Sequence, residues 1–117
     1  MRDYKKLNVW GKAHELAIVI YKTTANFPKD ELYGLSSQMR RASVSIASNI
    51  AEGCGRKGDS ELSYFVQISL GSSNELEYQI LLAHDLQFIN NELFNNLSDQ
   101  VDHVRRMLIL LLKKTRE

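Results

Sequence analysis

Gly53, Gly55 and Gly58 spell G-x-G-x-x-G, the spacing of a dinucleotide-binding turn. That turn works when a strand leads into it and a helix N-terminus receives the pyrophosphate. Here the residues in front carry a helical repeat, so the glycines read as a linker between helices. Their backbone amides, beside Arg56, Lys57 and a helix start, still have the chemistry to hold a phosphate. His14-Glu15 opens the H-E-x-x-H pattern of zinc proteases, but Ile18 stands where the second histidine belongs. Bundles that hold iron use Glu-x-x-His pairs. Gly11, Leu81 and Gln100 occupy the glutamate position before His14, His84 and His103. Cys54 lies in a glycine loop beside Arg56 and Lys57, a setting that lowers a thiol pKa. A nucleophile also needs a positioned base, and none is near in sequence. Gly34 and Ser36 begin a G-x-S-x-G elbow that Gln38 breaks. The expectation is therefore no enzyme, no cofactor, no metal and no small-molecule substrate, with Cys54 a spectator.

Cations remain. Arg40 and Arg41 are adjacent, Arg56 and Lys57 follow the same helix, Arg105 and Arg106 sit near the C-terminus, and Arg2, Lys5 and Lys6 form a basic leader. The net charge is only +1 and the pI about 7.9, below the ~9 usual for a dedicated nucleic-acid binder. A nucleic-acid site would therefore rest on clustering. Arg40, Arg41, Arg56 and Lys57 are the candidates for contact with RNA, DNA or a ribonucleoprotein partner, with the leader second. The competing reading is local ion pairing with Glu52, Asp102, Glu75 or Glu77. The row Arg41, Ser45, Ser48, Asn49 and Glu52 has a structural reading too. In that reading Arg41, Ser45, Asn49 and Glu52 form a hydrogen-bonded network between helices or protomers.

The elements that position these groups are helices. Leu35, Met39, Ala42, Ile46 and Ile50 recur at three and four residues on one face, with Ser43 and Ala47 at its margin. Gly53 is expected to end that helix as a left-handed C-cap. Upstream, Asn8 offers an N-cap, and Val9, Ala13, Leu16, Ala17, Ile20 and Thr24 share a face flanked by Trp10 and Tyr21, ending before Pro28. Downstream, Asp59 or Ser60 is expected to cap a third helix with a stripe of Leu62, Phe65, Ser69, Ser73, Leu76, Ile80 and Ala83. Gly71 inside it costs about 1 kcal/mol against alanine, which suggests a close helix contact. Asn90 or Asn91 caps a fourth, where Leu93, Leu97, Val101, Val104, Leu108 and Leu111 recur at four and three. The expected helices cover about residues 8–26, 33–53, 59–88 and 91–115. No segment alternates long enough for a strand.

At 117 residues, with 44% hydrophobic and 25% charged side chains, the chain suits one all-α domain, by default an antiparallel up-down-up-down four-helix bundle. One cysteine fits a reducing cytoplasm, and neither the N-terminus nor Met107–Leu112 has the apolar length of a signal or a membrane span. Ile18, Val19, Ile68, Leu82, Ile109 and Leu110 lie off the core stripes. They imply a second buried face and self-association, with Ile68, Leu82, Ile109 and Leu110 as interface candidates.

The runs Ser37-Gln38-Met39-Arg40-Arg41-Ala42, Ser45-Ile46 and Asn49-Ile50-Ala51-Glu52-Gly53 resemble the signature of the four-helix bundle protein family. That family is also called the 23S rRNA intervening-sequence protein family and is often labelled a ribosomal protein family. Val9-Trp10, Phe27-Pro28, Tyr33-Gly34-Leu35, Leu70-Gly71-Ser72 and Ala83 to Leu86 extend the resemblance over nearly the whole chain. The resemblance implies an antiparallel bundle assembling as a homopentamer, without known catalysis. It also implies a link to insertions in ribosomal RNA genes, and to strongly basic relatives that serve retroelement reverse transcriptases. The expected function is a non-enzymatic oligomer that binds RNA or a ribonucleoprotein. A protein-only scaffold is the alternative.

Overall fold

The computed structural model describes residues 2–116. They form four helices, α1 (Asn8–Thr24), α2 (Leu35–Cys54), α3 (Gly58–Asp85) and α4 (Asn91–Arg116), and no strand. Single 3-10 turns at Tyr4–Lys6 and Lys29–Glu31 precede α1 and α2. Packing follows the expected faces except on α3, where Val66 is fully buried and Phe65 of the expected stripe only half-buried. Leu16 and Ile20 of α1, Met39, Ile46 and Ile50 of α2, Leu76 and Ile80 of α3, and Leu97, Val101 and Leu108 of α4 are all fully buried. Burying each such side chain contributes about 1.5–3 kcal/mol, which is why a helix with the low mean hydropathy of α2 still docks.

The α2–α3 pair is built from small residues. Ser69 Oγ donates to the Ile46 carbonyl at 2.8 Å, and Ser45 and Ser72 share a hydrogen bond of 2.8 Å. Gly53 lies against Leu62, Ser45 against Ser72, and Arg41 pairs with Glu75. Partners move forward along one helix as they move back along the other, so these two helices run in opposite directions. Arg105 of α4 likewise reaches Asn74 and Glu77 of α3, while His84 meets Asn91.

Several end signals resolve differently from expectation. Asn8 opens α1 from inside, and its cap is Leu7, without a side-chain bond. Gly53 does not end α2: it is buried within the last turn, and Gly55 closes the helix at a right-handed φ of −83°. Neither Asp59 nor Ser60 caps α3. The helix starts at Gly58, whose φ of +79° needs a glycine, and Asp59 with Glu61 places negative charge in the first turn. Gly71 has open space where a Cβ would sit, so no close helix contact within the chain explains it. Asn90 does cap α4, its side-chain oxygen accepting from the Leu93 N–H at 2.8 Å.

The α3 end is a Schellman closure: the Phe88 N–H donates to Ala83 O and the Gln87 N–H to His84 O, both at 2.9 Å. The left-handed position belongs to Gln87, at φ 66°. Glycine takes that conformation without the Cβ clash. Gln87→Gly is expected to stabilise the protein by about 1 kcal/mol, raising Tm by about 4 °C in a melting curve; no rise would mean the turn is not limiting.

Candidate nucleic-acid interface

Contacts of the leader bring the start of α1, the end of α2, the start of α3 and the end of α4 together. The leader ties this end down. The Arg2 backbone N–H donates to Cys54 O at 2.9 Å, and the Arg2 guanidinium pairs with Asp59 at 2.8 Å. Asp3 accepts from the Lys5 N–H, closing the 3-10 turn, and Lys6 and Leu7 share a groove with Met107, Leu110 and Lys114.

Charge collects here from three separated segments: Arg2, Lys5 and Lys6 from the leader, Arg56 and Lys57 after α2, and Lys113, Lys114 and Arg116 in the last turn of α4. These are eight of the chain's 15 Lys and Arg residues. Among the described residues they face four carboxylates, Asp3, Glu52, Asp59 and Glu61. The remaining described length carries seven cations against nine carboxylates. A nearly neutral chain is thus electrically polar, with one positive end, and the local field there is what a phosphate would meet.

The four cations singled out from sequence do not form one site. Arg56 spans the α2–α3 junction, its guanidinium 5.2 Å from the Phe65 ring centroid and 3.3 Å from Glu52. Lys57 is exposed beside it, with no ion-pair partner among the described residues. Arg40 and Arg41 lie about 20 Å up α2 and turn apart. Arg40 Nε donates to Thr24 Oγ1 at 2.8 Å, with the guanidinium 4.9 Å from the Tyr21 ring centroid. That side chain fastens α2 to α1. Arg41 pairs with Glu75 across to α3 at 3.5 Å and donates to Gln38.

The expected polar network also divides. Asn49 donates to Ser45 Oγ at 3.0 Å and Ser45 O at 2.8 Å, and Ser45 continues to Ser72. Arg41 and Glu52 take other partners, Glu75 and Arg56. Arg105 is structural: it binds Glu77 at 2.8 Å, Asp102 at 3.1 Å and Asn74 at 3.2 Å, and the Glu77 hydrogen bond raises its pKa further. Arg106 pairs with Asp102 at 2.9 Å. The interface candidates are uneven. Ile109 and Leu110 are exposed at 41% and 60%, while Ile68 and Leu82 are half-buried, Leu82 packing partly against the core.

Cys54 reverses the sequence reading of a lowered pKa. The residue is 1% exposed, and burial pushes its thiol up, with Arg2 opposing the shift only in part. Thiolate attack is therefore doubly suppressed. In the folded protein at pH 8, iodoacetamide is expected to alkylate Cys54 at least about tenfold more slowly than in urea-unfolded chain; equal rates by mass spectrometry would refute the burial.

Among the described residues no group of three or more His, Cys, Asp or Glu has the placement for a metal, and no helix is long and apolar enough to cross a membrane. The leader stood second in the sequence reading, but Lys113, Lys114 and Arg116 of α4 escaped it as partners of Arg56 and Lys57. The available signal was topological: positive charge at the start of an odd helix and the end of an even one falls on the same end of a bundle.

No curated protein matches this chain. A solved structure of a protein of unknown function from the S23 ribosomal protein family of Bacteroides thetaiotaomicron shares its fold, at TM-score 0.83 and 24% identity over 90% of this chain and 95% of that one. The family model described as 23S rRNA-intervening sequence protein matches residues 5–110. Together with four helices and the Arg-Arg-Ala and Asn-Ile-Ala-Glu-Gly runs on α2, that match shows that the chain belongs to the 23S rRNA-intervening sequence protein family.

Proposed function

We propose that this chain is a non-enzymatic, cytoplasmic up-down-up-down bundle that assembles as a homopentamer and binds RNA through its positive end. The gathering of eight of 15 cations there carries the reading. The family's connection with ribosomal RNA supports RNA as the polyanion. Self-association is supported by Ile18, Ile109 and Leu110, which are 43%, 41% and 60% exposed in the single chain. Assembly would multiply the field of each end.

The test is binding of a labelled RNA across a salt series. Phosphate-driven binding weakens linearly in log–log form, with a slope set by the contacts made. Replacing Arg56 and Lys57 together by glutamine is expected to flatten that slope by roughly 1.5 and leave native mass unchanged. Absence of binding at low salt refutes the RNA reading. The exposed Ile109 and Leu110 would then favour the second reading, an oligomeric scaffold that docks protein alone. Native mass before and after nuclease separates the two.

A further inference from the structure

On the α1–α2 side, next to the positive end, the surface changes from charge to aromatic. Tyr4, Trp10 and His14 line one wall of a groove of about 260 Å3. The Trp10 and His14 rings stack, 5.0 Å between centroids and 6° between planes, and Tyr4 meets Trp10 edge-on at 4.9 Å. His14 is exposed, so the column of rings continues to the surface. The facing wall is Val44, Ala47 and Ala51. The two alanines end at Cβ, and that is what leaves the space.

The groove opens beside the leader. Lys5 Nζ lies 5.9 Å from the Tyr4 ring centroid, and Lys6 is exposed next to it. Arg2, two residues before Tyr4, is bonded to the end of α2. Of the carboxylates around it, Glu15 pairs with Lys12 at 3.5 Å and Glu52 with Arg56 at 3.3 Å, while Asp3, next to Tyr4, accepts from the Lys5 N–H at 3.1 Å. Cations for a phosphate chain thus run directly into rings for a base, the combination used to hold single strands.

Resting on the RNA reading above, we propose that the strand held at the positive end is single-stranded, with an unpaired base entering this groove and stacking on the His14–Trp10 column. Duplex cannot make the contact, because its bases are already stacked on one another. Preference among bases is weak, since every base has a π-face.

Trp10 is the chain's single tryptophan, so emission excited at the tryptophan edge reports on this ring. The probe is a labelled oligouridylate of about ten nucleotides, with an RNA duplex and the matching single-stranded DNA as comparison arms. The expected result is quenching of Trp10 by the single strands and none by the duplex. His14→Ala weakens oligouridylate binding about tenfold with little change in salt slope. Ala51→Leu, which fills the groove from the other wall, removes the quench as well. Salt-sensitive binding without quenching, and with His14→Ala neutral, overturns the groove while leaving the basic end standing. Equal quenching by duplex also overturns it. Failure of every nucleic acid to bind sinks both readings together. Quenching by RNA but not DNA shows that the 2′-hydroxyl takes part.

Discussion

Gly53→Val is expected to destabilise the protein by about 3 kcal/mol, a large share of the 5–15 kcal/mol that holds a typical domain. A Cβ built on Gly53 falls 2.9 Å from Leu62 Cδ1, 3.0 Å from Phe65 Cβ and 3.4 Å from Leu62 Cα. The Leu62 methyl could rotate, but Leu62 is 2% exposed and has nowhere to go. Phe65 Cβ is fixed to its backbone, so relief requires α3 to move away from α2. Valine adds two methyls to that collision and sacrifices the Cys54–Arg2 clasp one residue on. Gly53→Ala is milder, because helix propensity returns about 1 kcal/mol against the smaller clash. Urea denaturation of the three proteins checks this. A valine variant within about 0.5 kcal/mol of the parent would show that the two helices slide freely at this end.

Gly53 also marks the boundary of what the chain's pattern reveals. The buried faces were legible, because burial against one core forces a repeat of three to four: Leu35, Met39, Ala42, Ile46 and Ile50 are all inside, as are Leu97, Val101, Val104 and Leu108. A glycine is ambiguous in a way those residues are not. One that turns the chain and one that lets two helices touch look identical, so Gly53 read as a cap and Gly71 as a contact, whereas Gly53 makes the contact and Gly71 does neither. Gln87 hides the opposite case, a left-handed position without glycine. The candidate site shows the same limit. Arg40 and Arg41 are neighbours in sequence, yet Arg40 turns towards Thr24 and Tyr21 of α1 and Arg41 towards Glu75 of α3. Lys6 and Lys114 are remote in sequence and line one groove. Adjacency along a helix separates side chains by about 100°, whereas the fold gathers helix ends, so a surface patch depends on topology more than on runs of like charge.

Gln79→Leu is expected to raise stability by about 2 kcal/mol, and Tm by roughly 8 °C. Gln79 lies on the inner face of α3 between Leu76 and Ile80, is 6% exposed, and its Oε1 has no hydrogen-bond partner among the described residues. A buried acceptor left unpaired loses its hydration without return, about 1–3 kcal/mol, and leucine of similar size replaces it with apolar contact. Alanine is the informative control, since it removes the same oxygen but leaves a cavity, so its gain should be largely cancelled. If the leucine variant is instead less stable, the amide oxygen accepts a hydrogen bond in solution that outweighs the added methyls. Sizing chromatography of the same variant, whichever way its stability moves, tests whether the Gln79 amide serves assembly. A more stable chain that no longer assembles would make Gln79 a residue that specifies the oligomer at a cost to the monomer, the best-attested use of a polar group in a helical core.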